Sequence, residues 1–250
     1  MTARRAWSRQ EQMLALELYM TTSFGRIHSK NPDIVSLAEK IGRTPGAVAM
    51  KMVNFVALDP TIDRRGMGNY SRSDAEIWQE FFADPSGFIG AIETFRDAPR
   101  DYAIAPTLRP ESSWELREGE DRIITSKART GQSFFRRMLM ANYEGRCAVT
   151  SIDEPDLLLA SHIAPWRTHK KARLNPNNGI LLNALHDRAF DKGWISFEDS
   201  LDMIVSPQLE LDQDVAPFFE NKRLRLPVRS LPDPAFLRHH RDVVFKRSSA

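Results

Sequence analysis

The stretch whose reading decides the fold is Ser161-His162-Ile163-Ala164-Pro165-Trp166, followed by Asn175-Pro176-Asn177-Asn178-Gly179-Ile180-Leu181-Leu182 and then His186-Asp187-Arg188-Ala189-Phe190-Asp191-Lys192-Gly193. Leu157–Ile163 and Gly179–Leu182 are short apolar runs of strand length. Leu185–Lys192 reads as a short helix that Gly193 ends. The order is therefore a strand closing on a histidine, a long polar loop, an asparagine, a second strand, and a helix carrying a histidine and two aspartates.

Working outward, Trp194–Glu198 and Leu201–Val205 flank the turn pair Asp199-Ser200 and predict a hairpin. Upstream, Gln132–Tyr143 has helical periodicity, with Phe134, Phe135, Met138, Leu139 and Met140 inward and Arg136 and Arg137 outward. Gly145 stops it. Pro234–Lys246 predicts a last helix. Near the N-terminus, Ser8 and Glu11 form a capping box ahead of the apolar residues Met13 to Met20. Asn31-Pro32 opens a second helix that ends at Gly42. Thr44-Pro45 opens a third, through Val48, Met52, Val53 and Phe55.

Helix, glycine-containing turn, helix is the order of a helix-turn-helix unit, or of a plain helical hairpin. Small Ala38 permits the close approach, and Val48 fills the angle. Lys51 and Asn54 are the polar candidates of the third helix for a nucleic-acid contact. Shorter helices are expected over Asp74–Phe82 and Gly87–Phe95. Residues 97–126, with Pro99, Pro106 and Pro110 among charges, lack a sustained period, and a short strand is expected at Ile123-Ile124. The expected class is α+β: a helical, helix-turn-helix-like domain over residues 1–110, a linker over 111–127, and a second domain over 128–250 with a C-terminal hairpin and helix.

Apolar residues make up 42% of the 250 and charged residues 27%, which excludes a disordered acidic chain or a coiled-coil rod. No apolar run approaches the length of a membrane span. The N-terminus lacks a signal-peptide core, so an intracellular, cytoplasmic protein is expected. Cys147 is the single cysteine, which rules out an internal disulfide and a Cys-x-x-Cys metal knuckle, and a buried inert thiol is expected. The net charge of +2 says little, but its distribution says more. Between Arg122 and Lys192 there are twelve basic residues and six acidic ones, which points to an anionic partner.

The strand-end Ser-His-Ile-x-Pro-Trp, the helix Leu-His-Asp-Arg-Ala-Phe-Asp-x-Gly, the upstream Arg146-Cys147-Ala148-Val149-Thr150 and Gly131-Gln132-x-Phe134 together resemble the HNH endonuclease family, and more narrowly its restriction endonuclease branch. The resemblance covers about Ala128–Val205. It implies a ββα-metal finger and hydrolysis of DNA phosphodiesters with a divalent cation, Mg²⁺ or Mn²⁺. It casts His162 as the general base, a task suited to a side chain that titrates near neutrality. It gives Asn178 the task of fixing the finger loop, with Asn175 and Asn177 as rivals. At the positions where the family carries its helix ligands, this chain has Asp187 and Asp191. These share a helical face and suit a hard cation. His186 is either a further ligand or a packed helix histidine touching phosphate. Where the family carries a ligand before the base, this chain has Ser161.

With no cysteine knuckle, a core of Leu158, Ile163, Trp166, Leu182, Phe190 and Trp194 is expected to hold the finger. Arg167, Lys170, Lys171 and Arg173 in the loop, and Arg188 on the helix, are read as contacts to DNA phosphates. His28, His239 and His240 are read as surface residues, and His169 as a loop residue without an assigned role. Three readings stay open: a DNA endonuclease of restriction or defence type, a DNA-binding regulatory protein with an inactive finger, and an RNA nuclease. A homodimer is also left open.

Overall fold

The computed structural model describes residues 5–62, 69–96, 130–166 and 168–247. The linker over 111–127, the strand expected at Ile123-Ile124, and Arg167 lie outside the described residues.

Five helices form the N-terminal part: α1 (Arg9–Thr21), α2 (Pro32–Ile41), α3 (Pro45–Val56), α4 (Arg72–Ala83) and α5 (Pro85–Arg96). Their starts follow the cap chemistry. Ser8 and Glu11 exchange hydrogen bonds at the start of α1, and Ser71 and Asp74 repeat the device at α4. Asn31 and Thr44 cap α2 and α3, each followed by proline. Gly42 takes φ +65° at the end of α2, where a side chain would be strained. Ala38 and Val48 are fully buried between α2 and α3.

The outward face of α3 differs from the sequence reading. Lys51 is buried under the Trp7 ring and donates to Asp74 at 2.6 Å, while Asn54 donates to the other oxygen of Asp74 at 3.3 Å. Neither is presented to a nucleic acid. Desolvating an unpaired carboxylate is costly, and these two donors with Gln12 satisfy Asp74 inside the helical core. Hydrogen bonds from Lys51 and Ser71 hold the Asp74 carboxyl below its usual range, against the opposing pull of burial.

The C-terminal part begins with α6, helical over residues 130–142. Strand β1 (Leu158–His162) pairs antiparallel with β2 (Gly179–Asn183), in a register that places His162 opposite Gly179. Helix α7 (Ala184–Asp191) follows directly, capped by Asn183. A two-stranded hairpin, β3 (Ile195–Phe197) and β4 (Met203–Val205), comes next, then the short α8 (Ala216–Phe219) and α9 (Pro234–Val243). The sequence reading did not anticipate α8. The strands, α7 and the hairpin fall where expected within a residue or two. Among the described residues no helix is long and apolar enough to cross a membrane.

Leu158, Ile163, Leu182 and Phe190 are buried, whereas Trp166 and Trp194 are partly open. Cys147 is fully buried, and its sulfur accepts from the Asn183 amide at 3.2 Å. His240 overturns its surface assignment. Its ring stacks on Phe190 at 3.7 Å, Nδ1 meets the Ser196 hydroxyl, and Nε2 donates to the Phe190 carbonyl. It thereby fastens α9 to the finger.

The two parts share one apolar cluster. Phe81 of α4 meets Phe134 of α6 edge-on at 6.3 Å. Each such buried ring contributes roughly 1.5–3 kcal/mol. Arg229 is buried between them. It donates to the Thr22 carbonyl and to Asn142 Oδ1, and its guanidinium lies over the Tyr19 ring at 4.5 Å.

Candidate active site

Strand β1 delivers His162 to the rim of a cleft of about 390 Å³ that also takes in Trp166, Asp187, Arg188 and Asp191. A second depression adjoins it along β1 and reaches Gln132 and Arg136 of α6. The sequence reading placed Arg136 on the outside. It reaches across to the Pro155 and Leu158 carbonyls and thereby braces the start of β1.

The imidazole of His162 is held on three sides. Phe135 stacks on it face to face, with centroids 4.0 Å apart and planes 9° from parallel. Trp166 meets it edge-on at 5.0 Å. Nε2 lies 2.9 Å from the Arg173 carbonyl. A carbonyl only accepts, so Nε2 carries the proton and Nδ1 keeps the lone pair of the neutral ring. Burial pushes the His162 pKa below its ordinary value, outweighing the hydrogen bond to the Arg173 carbonyl.

Asn178 is buried at the loop base. Its Oδ1 accepts from the Ala164 amide at 2.7 Å, and its Nδ2 donates to the Ala172 and Ala164 carbonyls at 3.1 and 3.3 Å. One side chain thus ties both ends of the loop together. Its rivals do other work: Asn175 caps the turn at Asn177, and Asn177 donates to the Leu231 carbonyl.

Asp187 and Asp191 lie one turn apart on α7 and both line the cleft with His162. Burial, and then the charge of Asp187, push the Asp191 carboxyl above its usual range. Ser161 is buried, and its hydroxyl donates to Asp187 Oδ1. A donor set of two carboxylates fits a hard divalent ion that keeps most of its water, as Mg²⁺ does when bound through one or two carboxylates plus a phosphate. Among the described residues no group of three or more His, Cys, Asp or Glu side chains is placed to hold a metal ion.

The structure does not bring His186 to this cleft. Its ring is fully buried on the other side of α7, with Nε2 against the Phe218 carbonyl at 2.8 Å, Nδ1 against Asn183, and Phe219 beside it. The ligand or phosphate role set out for His186 has no opening there. The helix periodicity was correct, but the short α8, which covers that face, gave no signal in the sequence.

Lys170 and Lys171 are exposed on the loop, and Arg188 is exposed beside the cleft. Arg173 is partly buried. Its Nε donates to the Trp166 carbonyl at 2.9 Å, and its guanidinium covers the Trp166 ring at 4.8 Å. Its carbonyl and its side chain both shape the site from within. Sequence reasoning missed Phe135 as a wall of the site, because its periodicity marks it only as a buried helix residue.

No curated protein matches the chain. Residues 147–198, which span the loop of Cys147, both finger strands, α7 and the strand after it, match the family model of the HNH endonucleases, so this part of the chain is similar to an HNH endonuclease domain.

Proposed function

We propose that the protein is a metal-dependent DNA endonuclease in which His162 is the general base. The observation that supports this reading best is His162 itself, its Nε2 committed to the Arg173 carbonyl and its lone-pair nitrogen without a hydrogen-bond partner among the described residues, in a cleft shared with two carboxylates. Nδ1 takes a proton from water as the water oxygen bonds to phosphorus and the 3′ oxygen departs. Asp187 and Asp191 would hold a divalent cation, Mg²⁺ or Mn²⁺, which would supply positive charge to the phosphate and to the departing oxygen. Ser161 orients Asp187, and Asn178 fixes the loop that carries the Arg173 carbonyl. Exposed Lys170, Lys171 and Arg188 neutralise flanking phosphates without reading bases. A restriction or defence role and a cytoplasmic location belong to the same proposal.

A second reading, binding without cleavage, is favoured by the two-carboxylate donor set and by Ser161 at a position where the family carries a ligand. Incubation with supercoiled plasmid and Mg²⁺ or Mn²⁺, then with EDTA, separates the two. Nicking that EDTA stops supports the endonuclease, and retention of DNA without nicking supports the second reading. His162→Ala is expected to lower the nicking rate at least about a hundredfold with DNA binding retained. A comparable rate in that variant removes His162 as the base.

A further inference from the structure

The active site extends beyond the matched residues 147–198 into α6. We propose that Phe135 is a positioning residue for the general base, holding the His162 ring in the plane from which it accepts a proton. The inference rests on the endonuclease reading of His162.

Phe135 lies upstream of the matched segment, yet its ring covers one whole face of the imidazole, 4.0 Å away and 9° from parallel. Core aromatic pairs are commonly offset or edge-on, as Phe81 is against Phe82, Phe88 and Phe134 at 73° to 89°. The other parallel stack among the described residues, Phe190 on His240, likewise fixes a histidine that is bonded to a backbone carbonyl. The Phe135 contact blocks tilting of the His162 ring out of its plane, while the hydrogen bond to the Arg173 carbonyl and the edge of Trp166 limit its rotation within that plane.

A second feature of the fold makes room for this wall. Gly179 is the cross-strand partner of His162. A Cβ there would lie 2.6 Å from Phe135 Cζ and 2.8 Å from a Leu139 methyl. With the imidazole on its other face, the Phe135 ring has nowhere to yield. Glycine at position 179 is thus what lets Phe135 slide between strand and helix onto the histidine. A misplaced base loses rate steeply, since shifts of about an ångström cost up to about a hundredfold.

The test compares Phe135→Leu with Phe134→Leu, the same change at the adjacent buried position, whose ring faces Phe81 and not His162. Nicking kinetics on plasmid DNA, melting temperature and the ring-proton NMR shifts of His162 are measured for both. Phe135→Leu is expected to lower kcat about tenfold with KM for DNA within twofold, and to move the His162 ring protons downfield as the shielding of the stacked ring is lost. Phe134→Leu is expected to lower the melting temperature comparably while leaving kcat and the His162 shifts near wild type. Equal kcat losses in the two variants, or an unchanged kcat in Phe135→Leu once the His162 shifts have moved, overturn the positioning role while leaving the endonuclease intact. A wild-type protein that nicks nothing overturns both.

Discussion

The Ser161 hydroxyl donates to one oxygen of Asp187, across the junction between strand β1 and helix α7. Ser161 therefore acts on a carboxylate that faces the cleft. Partners of this kind fix the direction of a ligand's remaining lone pairs. Ser161→Ala is expected to raise the Mn²⁺ concentration for half-maximal nicking about tenfold, with kcat at saturating Mn²⁺ little changed. A titration of nicking rate against Mn²⁺ checks it, and a loss of kcat that metal does not restore would speak against the orienting role.

The same titration sorts the residues of α7. Asp187→Asn and Asp191→Asn are expected to need at least about tenfold more metal than wild type, since each removes half of the donor set and of its charge. His186→Ala is expected to keep the wild-type metal requirement and instead lower the melting temperature, because its buried ring is bonded to Asn183 and Phe218. Normal metal dependence in both aspartate variants would sink the carboxylate site.

Lys170 and Lys171 are exposed on the loop between β1 and β2 and carry no salt bridge among the described residues. Replacing both with alanine is expected to weaken DNA binding across all sequences. It should also flatten the slope of log affinity against log salt by about one per lost phosphate contact. A changed cleavage sequence with an unchanged slope would contradict a purely positional role.

Acid should loosen the join between α9 and the finger. Burial pushes the His240 pKa down to about 4. An unfolded chain binds that proton near pH 6.5. Between those values the unfolded state holds more protons, so stability falls as pH drops from about 6.5 to about 4, and levels off below. Thermal unfolding across that window is expected to show a loss of roughly 3 kcal/mol from this residue. His240→Gln should flatten the curve. An equal slope in the variant would assign the acid sensitivity elsewhere.

Much of the finger was legible because its elements obey local rules. Apolar runs of strand length, an asparagine cap and a stopping glycine set β1, β2 and α7 nearly to the residue. The orientation of side chains toward distant elements was less legible. Lys51 looks solvent-facing in its helix, but Asp74, 23 residues away, draws it inward. His240 looks like a surface residue of a polar helix until Phe190 and Ser196 are seen around it. His186 shows the same limit from the site's side, since the helix face it occupies is covered by α8, which the sequence did not announce.

Arg229 bonds the Thr22 carbonyl across 207 positions of the chain. Its effect appears in the order of assembly. Helices α1 to α5 contact one another at shorter sequence separation. The residue that fills the gap between α1 and α6, however, is brought from 207 positions away. Until it arrives, the Tyr19 face and the Asn142 side chain lack the guanidinium that covers and bonds them. Such a distant closing contact makes the final packing step slow compared with helix formation. The packing of α1 against α6 is therefore complete only when this strap has docked.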